Sequence, residues 1–133
     1  MRWHLLDLSS TRRVQIIDVT ESLRRICRES GVREGLAVVV CEHTTAGVCV
    51  NEAEPNLLTD LQRALERLIP EEGDYRHNRL DDNTDAHLRA VLIGHSVTLP
   101  IQDGVPVLGT WQRVLFVELD GPRRRRLRVG VGG

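Results

Sequence analysis

Leu36-Ala37-Val38-Val39-Val40-Cys41-Glu42-His43-Thr44-Thr45-Ala46-Gly47-Val48-Cys49-Val50-Asn51-Glu52 holds two apolar runs of strand length separated by a dense polar insert. The runs predict β-strands, so the polar residues fall at strand ends or in the turn between them, where a site is readily built. The competing reading is a hairpin whose Thr44 and Thr45 hydroxyls satisfy turn backbone, with His43 a hydrogen-bonded rim residue.

Working outward, Trp3 to Leu8 and Val14 to Val19 read as strands separated by the turn-like Ser9-Ser10-Thr11, which predicts an opening hairpin. Thr20 is placed to cap a helix over Glu21 to Glu29 that Gly31 stops, and Gly35 to Glu42 is the strand that delivers His43. Downstream, Pro55 suits a first helical turn, and Leu57, Leu61, Ala64, Leu65 and Leu68 recur at helical spacing until Pro70. That purely aliphatic face predicts core packing. Glu71 to Thr84 is a long polar connection, and Asp82, Asn83 or Thr84 can cap the next helix, Asp85 to Ile93, which Gly94 terminates. His87 then lies in the first turn, beside backbone donors that attract anions.

Val97 to Ile101, Val105 to Leu108 and Thr110 to Leu119 are further strands, and Asp120-Gly121-Pro122 turns into a last one. There Arg124, Arg126 and Arg128 alternate with Leu127, Val129 and Val131, which puts three guanidinium groups on one face, as in a charge-protected edge strand. Strand therefore outweighs helix.

At 133 residues the chain is the size of one domain, 1–133, large enough to bury about two-thirds of its unfolded surface. Hydrophobic residues make up 41% but aromatic ones only 3%, so the core is aliphatic and a base-stacking platform is excluded. With a net charge of -1 there is no basic field for nucleic acid. All 18 basic residues are Arg, which removes Schiff-base, pyridoxal-phosphate and phosphate-loop lysine chemistry. Cys27, Cys41 and Cys49 lack metal-ligand spacing and read as reduced core residues. Without an apolar signal segment or a membrane-length stretch, a soluble cytoplasmic protein with no membrane partner is expected.

His43, His77 and His87 each stand among carboxylates and amides. Were they to converge, three imidazoles with an open position would make a catalytic zinc site; their spacing matches no local zinc motif, and the alternative is capping or rim roles. Glu52 and Asp82 are acid–base candidates if partly desolvated. Ser96, in Gly94-His95-Ser96-Val97-Thr98, fails the nucleophile-elbow pattern because Thr98 replaces its last Gly.

The ordered set His43-Thr44-Thr45-Ala46-Gly47, Asn51-Glu52, His77-Asn78, Asp82-Asn83, Ala86-His87-Leu88, Gly94-His95-Ser96, Leu108-Gly109-Thr110-Trp111-Gln112 and Glu118-Leu119-Asp120-Gly121-Pro122-Arg123 resembles the YjbQ-like family, also called the secondary thiamine-phosphate synthase family. The resemblance implies an α+β single domain, an antiparallel or mixed β-sheet sandwich with about three helices, assembled as a homotrimer with polar clefts near subunit boundaries. It implies a weak transferase joining a pyrimidine diphosphate to a thiazole phosphate. Carried onto this sequence, His43, Glu52 and His87 are the catalytic candidates. Thr44, Thr45, Asn51, Asn83, Trp111, Gln112 and Arg123 are the candidates for holding a small phosphorylated substrate. His43, His77 and His87 are the candidate ligands of a divalent metal, zinc or magnesium. The rival readings are a hydrolase using zinc-bound water at those histidines and a trimeric small-anion binding module without turnover.

Overall fold

A computed structural model describes all residues from Met1 to Gly133. In chain order the elements are β1 (Arg2–Ser9), β2 (Gln15–Asp18), α1 (Thr20–Ser30), β3 (Gly35–Cys41), β4 (Ala46–Asn51), α2 (Pro55–Leu68), a 3-10 turn (Arg76–Arg79), α3 (Thr84–Ile93), β5 (Ser96–Gln102), β6 (Val105–Pro106), β7 (Arg113–Glu118) and β8 (Arg124–Gly132). The strands form a five-stranded sheet of order β1-β8-β3-β5-β6 and a three-stranded sheet of order β2-β7-β4. Every pairing is antiparallel. The result is the expected α+β sandwich with three α-helices.

Period-two patterning supplies the core. Ala37, Val39, Leu127, Val129 and Val131 of the large sheet meet Val48, Val114 and Phe116 of the small one, and Leu23, Ile26 and Cys27 of α1 complete the cluster. A second cluster, Leu65, Ala86, Val117 and Leu119, lies where α2 and α3 cover the other face of the small sheet. Each fully buried Val, Leu or Phe contributes about 1.5–3 kcal/mol relative to exposure.

Several sequence expectations change in three dimensions. β1 and β2 make no hairpin: β1 joins the large sheet beside β8 and β2 the small sheet beside β7. The apolar runs around His43 are likewise split between sheets, so the polar insert is a crossover between layers. Thr20 does not cap α1. Asp18 accepts its backbone N–H at 2.9 Å, and the Thr20 hydroxyl accepts from Val114 N at 2.8 Å across the core. Gly31 does stop α1, in a left-handed conformation with φ of 73° that glycine adopts freely. α2 begins at Pro55 with the Glu54 carboxylate accepting from the N–H groups of Asn56 and Leu57, yet only Leu65 of its aliphatic face is buried. Finally, β8 is central, lying between β1 and β3; Arg124, Arg126 and Arg128 do share its exposed face, where Arg126 pairs with Asp7 at 2.7 Å and Arg128 with Glu42 at 2.8 Å. No helix is long and apolar enough to cross a membrane.

Candidate functional site

The small sheet has two ends. In the register of β4 on β7, Ala46 faces Glu118 at one end and Asn51 faces Arg113 at the other. Five residue steps separate them, roughly 17 Å of strand.

At the Ala46 end, the Glu42 to Thr45 crossover, the N-terminus of α3 and the Asp120 to Arg125 turn enclose a polar cleft of about 430 Å³ with no apolar lining residue. His43, Thr44 and His87 are shared with an adjoining lobe of about 480 Å³ that runs along α3 past Ala90 and Val91 to His95. The result is one two-lobed cleft with a pair of imidazoles at its waist.

Local forces explain each placement. The His43 imidazole closes the end of the β3–β8 ladder, its Nε2 lying 3.1 Å from both the backbone nitrogen and the carbonyl oxygen of Arg126. His77, in the 3-10 turn, meets His87 edge-on with ring centroids 4.9 Å apart. The Thr84 hydroxyl opening α3 donates to Asn78 Oδ1 at 2.6 Å, and Asn83 Nδ2 donates to Asp120 Oδ2 at 2.9 Å. Arg123 reaches the same carboxylate at 3.0 Å and the Asp120 carbonyl at 2.7 Å, which fixes its guanidinium at the rim. His77 Nε2 and Asn83 Oδ1 are buried without a protein partner.

Two buried carboxylates anchor the walls. Asp85, fully buried in the first turn of α3, receives both forks of Arg13 at 3.0 Å and lies 3.3 Å from Arg89. Burial pushes its carboxyl up, but the hydrogen bonds and charge of Arg13, with Arg89 behind, hold it below the ordinary range. Glu118, also fully buried, accepts from Arg125 Nε at 2.9 Å and Nη2 at 2.5 Å and from Ser10 Oγ at 2.6 Å. Here too burial raises the carboxyl and the Arg125 and Ser10 hydrogen bonds outweigh it, so the group stays ionised.

Of the residues singled out in the sequence, His43, Thr44, Thr45, Asn83, His87 and Arg123 therefore come together around one cleft, with His77 against His87. Asn51, Glu52, Trp111 and Gln112 do not join them within the chain. Asn51 and Glu52 rim an apolar cavity of about 270 Å³ under Leu57, Leu61 and Leu92. Gln112 accepts the Gly109 N–H at 2.7 Å and closes its own loop, leaving Trp111 72% exposed. Within one chain, no three His, Cys, Asp or Glu side chains, these histidines included, are grouped to hold an ion. His43 commits Nε2 to strand backbone, and the His77 and His87 rings cross at 79°. The zinc or magnesium suggested by the resemblance thus lacks a three-residue ligand set within one chain, and the chemistry below is derived for the protein groups.

Glu118, Arg125, Asp120, Asp81 and His95 were not singled out as site residues. Signals for two of them exist in the sequence: Glu118 is a carboxylate inside the apolar run Val114 to Leu119, and Arg125 shares strand parity with the buried Leu127, Val129 and Val131.

The sequence profile of the family described as UPF0047 protein YjbQ-like matches residues 4–133. A UPF0047 protein of Methanothermobacter thermautotrophicus is 46% identical over 128 residues, covering 96% of this chain and 90% of the relative; one from Archaeoglobus fulgidus is 49% identical over 124 residues, covering 93% and 96%. Among solved structures, a hypothetical protein from Aeropyrum pernix K1 superposes with a TM-score of 0.97 at 41% identity, covering 100% of this chain and 99% of that one. A YbjQ-like protein of unknown function from Sulfolobus solfataricus P2 superposes at 0.94 with 32% identity, covering 96% and 94%. Sequence and fold agree over essentially the whole chain, which belongs to the UPF0047 protein YjbQ-like family.

Proposed function

We propose that this protein is a slow transferase of the thiamine-phosphate synthase type, joining a pyrimidine diphosphate to a thiazole phosphate in the two-lobed cleft. The observation that carries the reading is the pair His43 and His87 between two lobes, each the size of a small phosphorylated molecule. In the reaction the thiazole nitrogen forms a bond to the pyrimidine methylene carbon as the carbon–oxygen bond to pyrophosphate breaks. The leaving group departs with the electron pair and takes a proton. His87, in the first turn of α3, is the donor; the helix N-terminus and Arg123 meet the phosphate charge. Thr44 and Thr45 offer hydroxyls along the wall.

The working form in this proposal is a homotrimer. Leu88, Val91 and Leu92 leave an uncovered apolar strip along α3 at the rim of the cleft, with Val91 79% exposed, and a second copy of the chain covers it. That packing brings the Asn51, Glu52, Trp111 and Gln112 end of one subunit to the cleft of the next, where Glu52 joins the proton chemistry.

The test is a sensitive product assay. Slow formation of thiamine phosphate above the uncatalysed background, lost in His87→Ala, is the expected result. A background-level wild type, or a fully active His87→Ala, overturns the reading. The zinc-water hydrolase has no three-ligand group within one chain to support it.

A further inference from the structure

The Glu118 carboxylate collects five donors: Ser10 Oγ, Arg125 Nε, Arg125 Nη2, and the backbone N–H groups of Leu119 at 3.0 Å and Asp120 at 3.2 Å. Those donors sit on three segments, of which the one carrying Ser10 is remote in sequence. Ser10 follows β1 and is itself tied to Arg123, whose N–H it accepts at 2.8 Å. Arg125, the second residue of β8, continues to the crossover, donating to Thr45 Oγ1 at 2.9 Å and to the Thr45 carbonyl at 3.3 Å. Leu119 and Asp120 lead into the turn that holds Asn83 and Arg123.

Every branch ends on the polar cleft. One carboxylate sets Thr45, two residues from His43; Asp120, which orients Asn83; and Arg123 through Ser10. The turn is built tightly around this hub, since any side chain at Gly121 would strike the Arg12 carbonyl, the Ser10 hydroxyl and Glu118 itself. Stability alone does not account for it. A fully buried ion pair is often no more stabilising than an apolar pair of the same volume, because desolvating two charges offsets their attraction. What it supplies that an apolar pair does not is direction: each of its hydrogen bonds fixes an angle as well as a distance.

We infer that Glu118 and Arg125 are the positioning pair of the cleft, holding the His43 to Thr45 crossover and the Asp120 to Arg123 turn in the one arrangement that faces His87. The inference rests on the proposed site, and its consequence for catalysis on the transferase reading. Neither residue need touch substrate; both act through the residues they orient.

The experiment compares Glu118→Gln with the wild-type chain by magnetic resonance and by kinetics. Gln keeps the shape and loses one of the two anionic oxygens. The expected spectral result is that the ring signals of His43 and His87 and the amides of Thr44 and Thr45 move, although some lie more than seventy residues from the substitution in sequence. Kinetically, kcat falls about tenfold or more with KM changed much less, because misplacement of order an ångström carries that scale of loss. Signals that move only at residues 117–119 and 125, with activity per folded molecule unchanged, overturn the inference. If Glu118→Gln does not fold, Ser10→Ala removes one donor and leaves the ion pair in place. Shifts from it that reach Thr45 and His43 sustain the proposal, and shifts confined to its neighbours overturn it. The spectral arm uses no turnover, so a wild type without thiamine-phosphate formation defeats the transferase reading and leaves the positioning role separately decided.

Discussion

The two ends of the three-stranded sheet carry equally polar sequence but different physics. At the Ala46 end, charges are buried: the Arg125–Glu118 pair is 5% and 0% exposed at its side chains, and Arg125 also donates to Thr45 in the cleft wall. At the Asn51 end, Arg113 pairs with Asp18 at 2.7 Å and with Glu21 at 3.3 Å, with side chains 29%, 31% and 70% exposed, beside an apolar cavity. One end buries its ion pair, while the other leaves its charged groups partly exposed to solvent. The difference teaches that motif residues grouped in a family pattern need not be adjacent in one folded chain.

The largest effect that sharpens this contrast is catalytic. His87→Ala is expected to lower the transferase rate at least a hundredfold, the usual scale of a lost general acid, whereas Trp111→Ala lowers it less than tenfold. Equal losses in a product assay would break the distinction between His87 as proton donor and Trp111 as a substrate contact.

Next in size is stability. Glu118→Ala leaves Arg125 buried without its anion and should cost about 3–5 kcal/mol, against under about 1 kcal/mol for Arg113→Ala at the partly exposed end. Urea denaturation of the two variants measures the difference, and similar midpoints would show that burial does not separate the ends.

A smaller and graded effect is pH dependence. Asp85 and Glu118 both have folded values held below the ordinary carboxylate range, so the unfolded chain takes up protons first. Their contribution is present above about pH 4, the unfolded value, and is lost as pH falls through the lower folded values. Stability should therefore decline on acidification below about pH 4, and Glu118→Gln should make that decline shallower. A variant with the wild-type slope would assign the acid sensitivity elsewhere.

Much of the fold was legible in the sequence because it follows from local rules. Period-two alternation placed the strands, Pro55 and the leucine spacing placed α2, and Gly31 and Gly94 marked the ends of α1 and α3. Strand partners were not legible. The turn-like Ser9-Ser10-Thr11 suggested a hairpin, but Ser10 bonds to Glu118 and Arg123, and β1 and β2 join different sheets. For the site, the family motifs brought His43, Thr44, Thr45, Asn83, His87 and Arg123 to one cleft. They did not reveal that Glu52 and Trp111 lie at the other end, because separation along a strand depends on register, which local sequence does not display. Nor did composition flag Arg125, which looks like one more member of an arginine run until strand parity is counted inward from Leu127.

The central claim is that the two ends work together across a subunit boundary, and mixing inactive variants tests it most directly. His87→Ala and Glu52→Gln are each expected to be inactive alone. Unfolded together and refolded at equal concentrations, they should form mixed trimers in which about a quarter of the boundaries join an intact His87 to an intact Glu52. Recovery of about that fraction of the wild-type rate is the predicted result. A mixture as inactive as its parents, or a Glu52→Gln protein that is fully active by itself, would contradict the account.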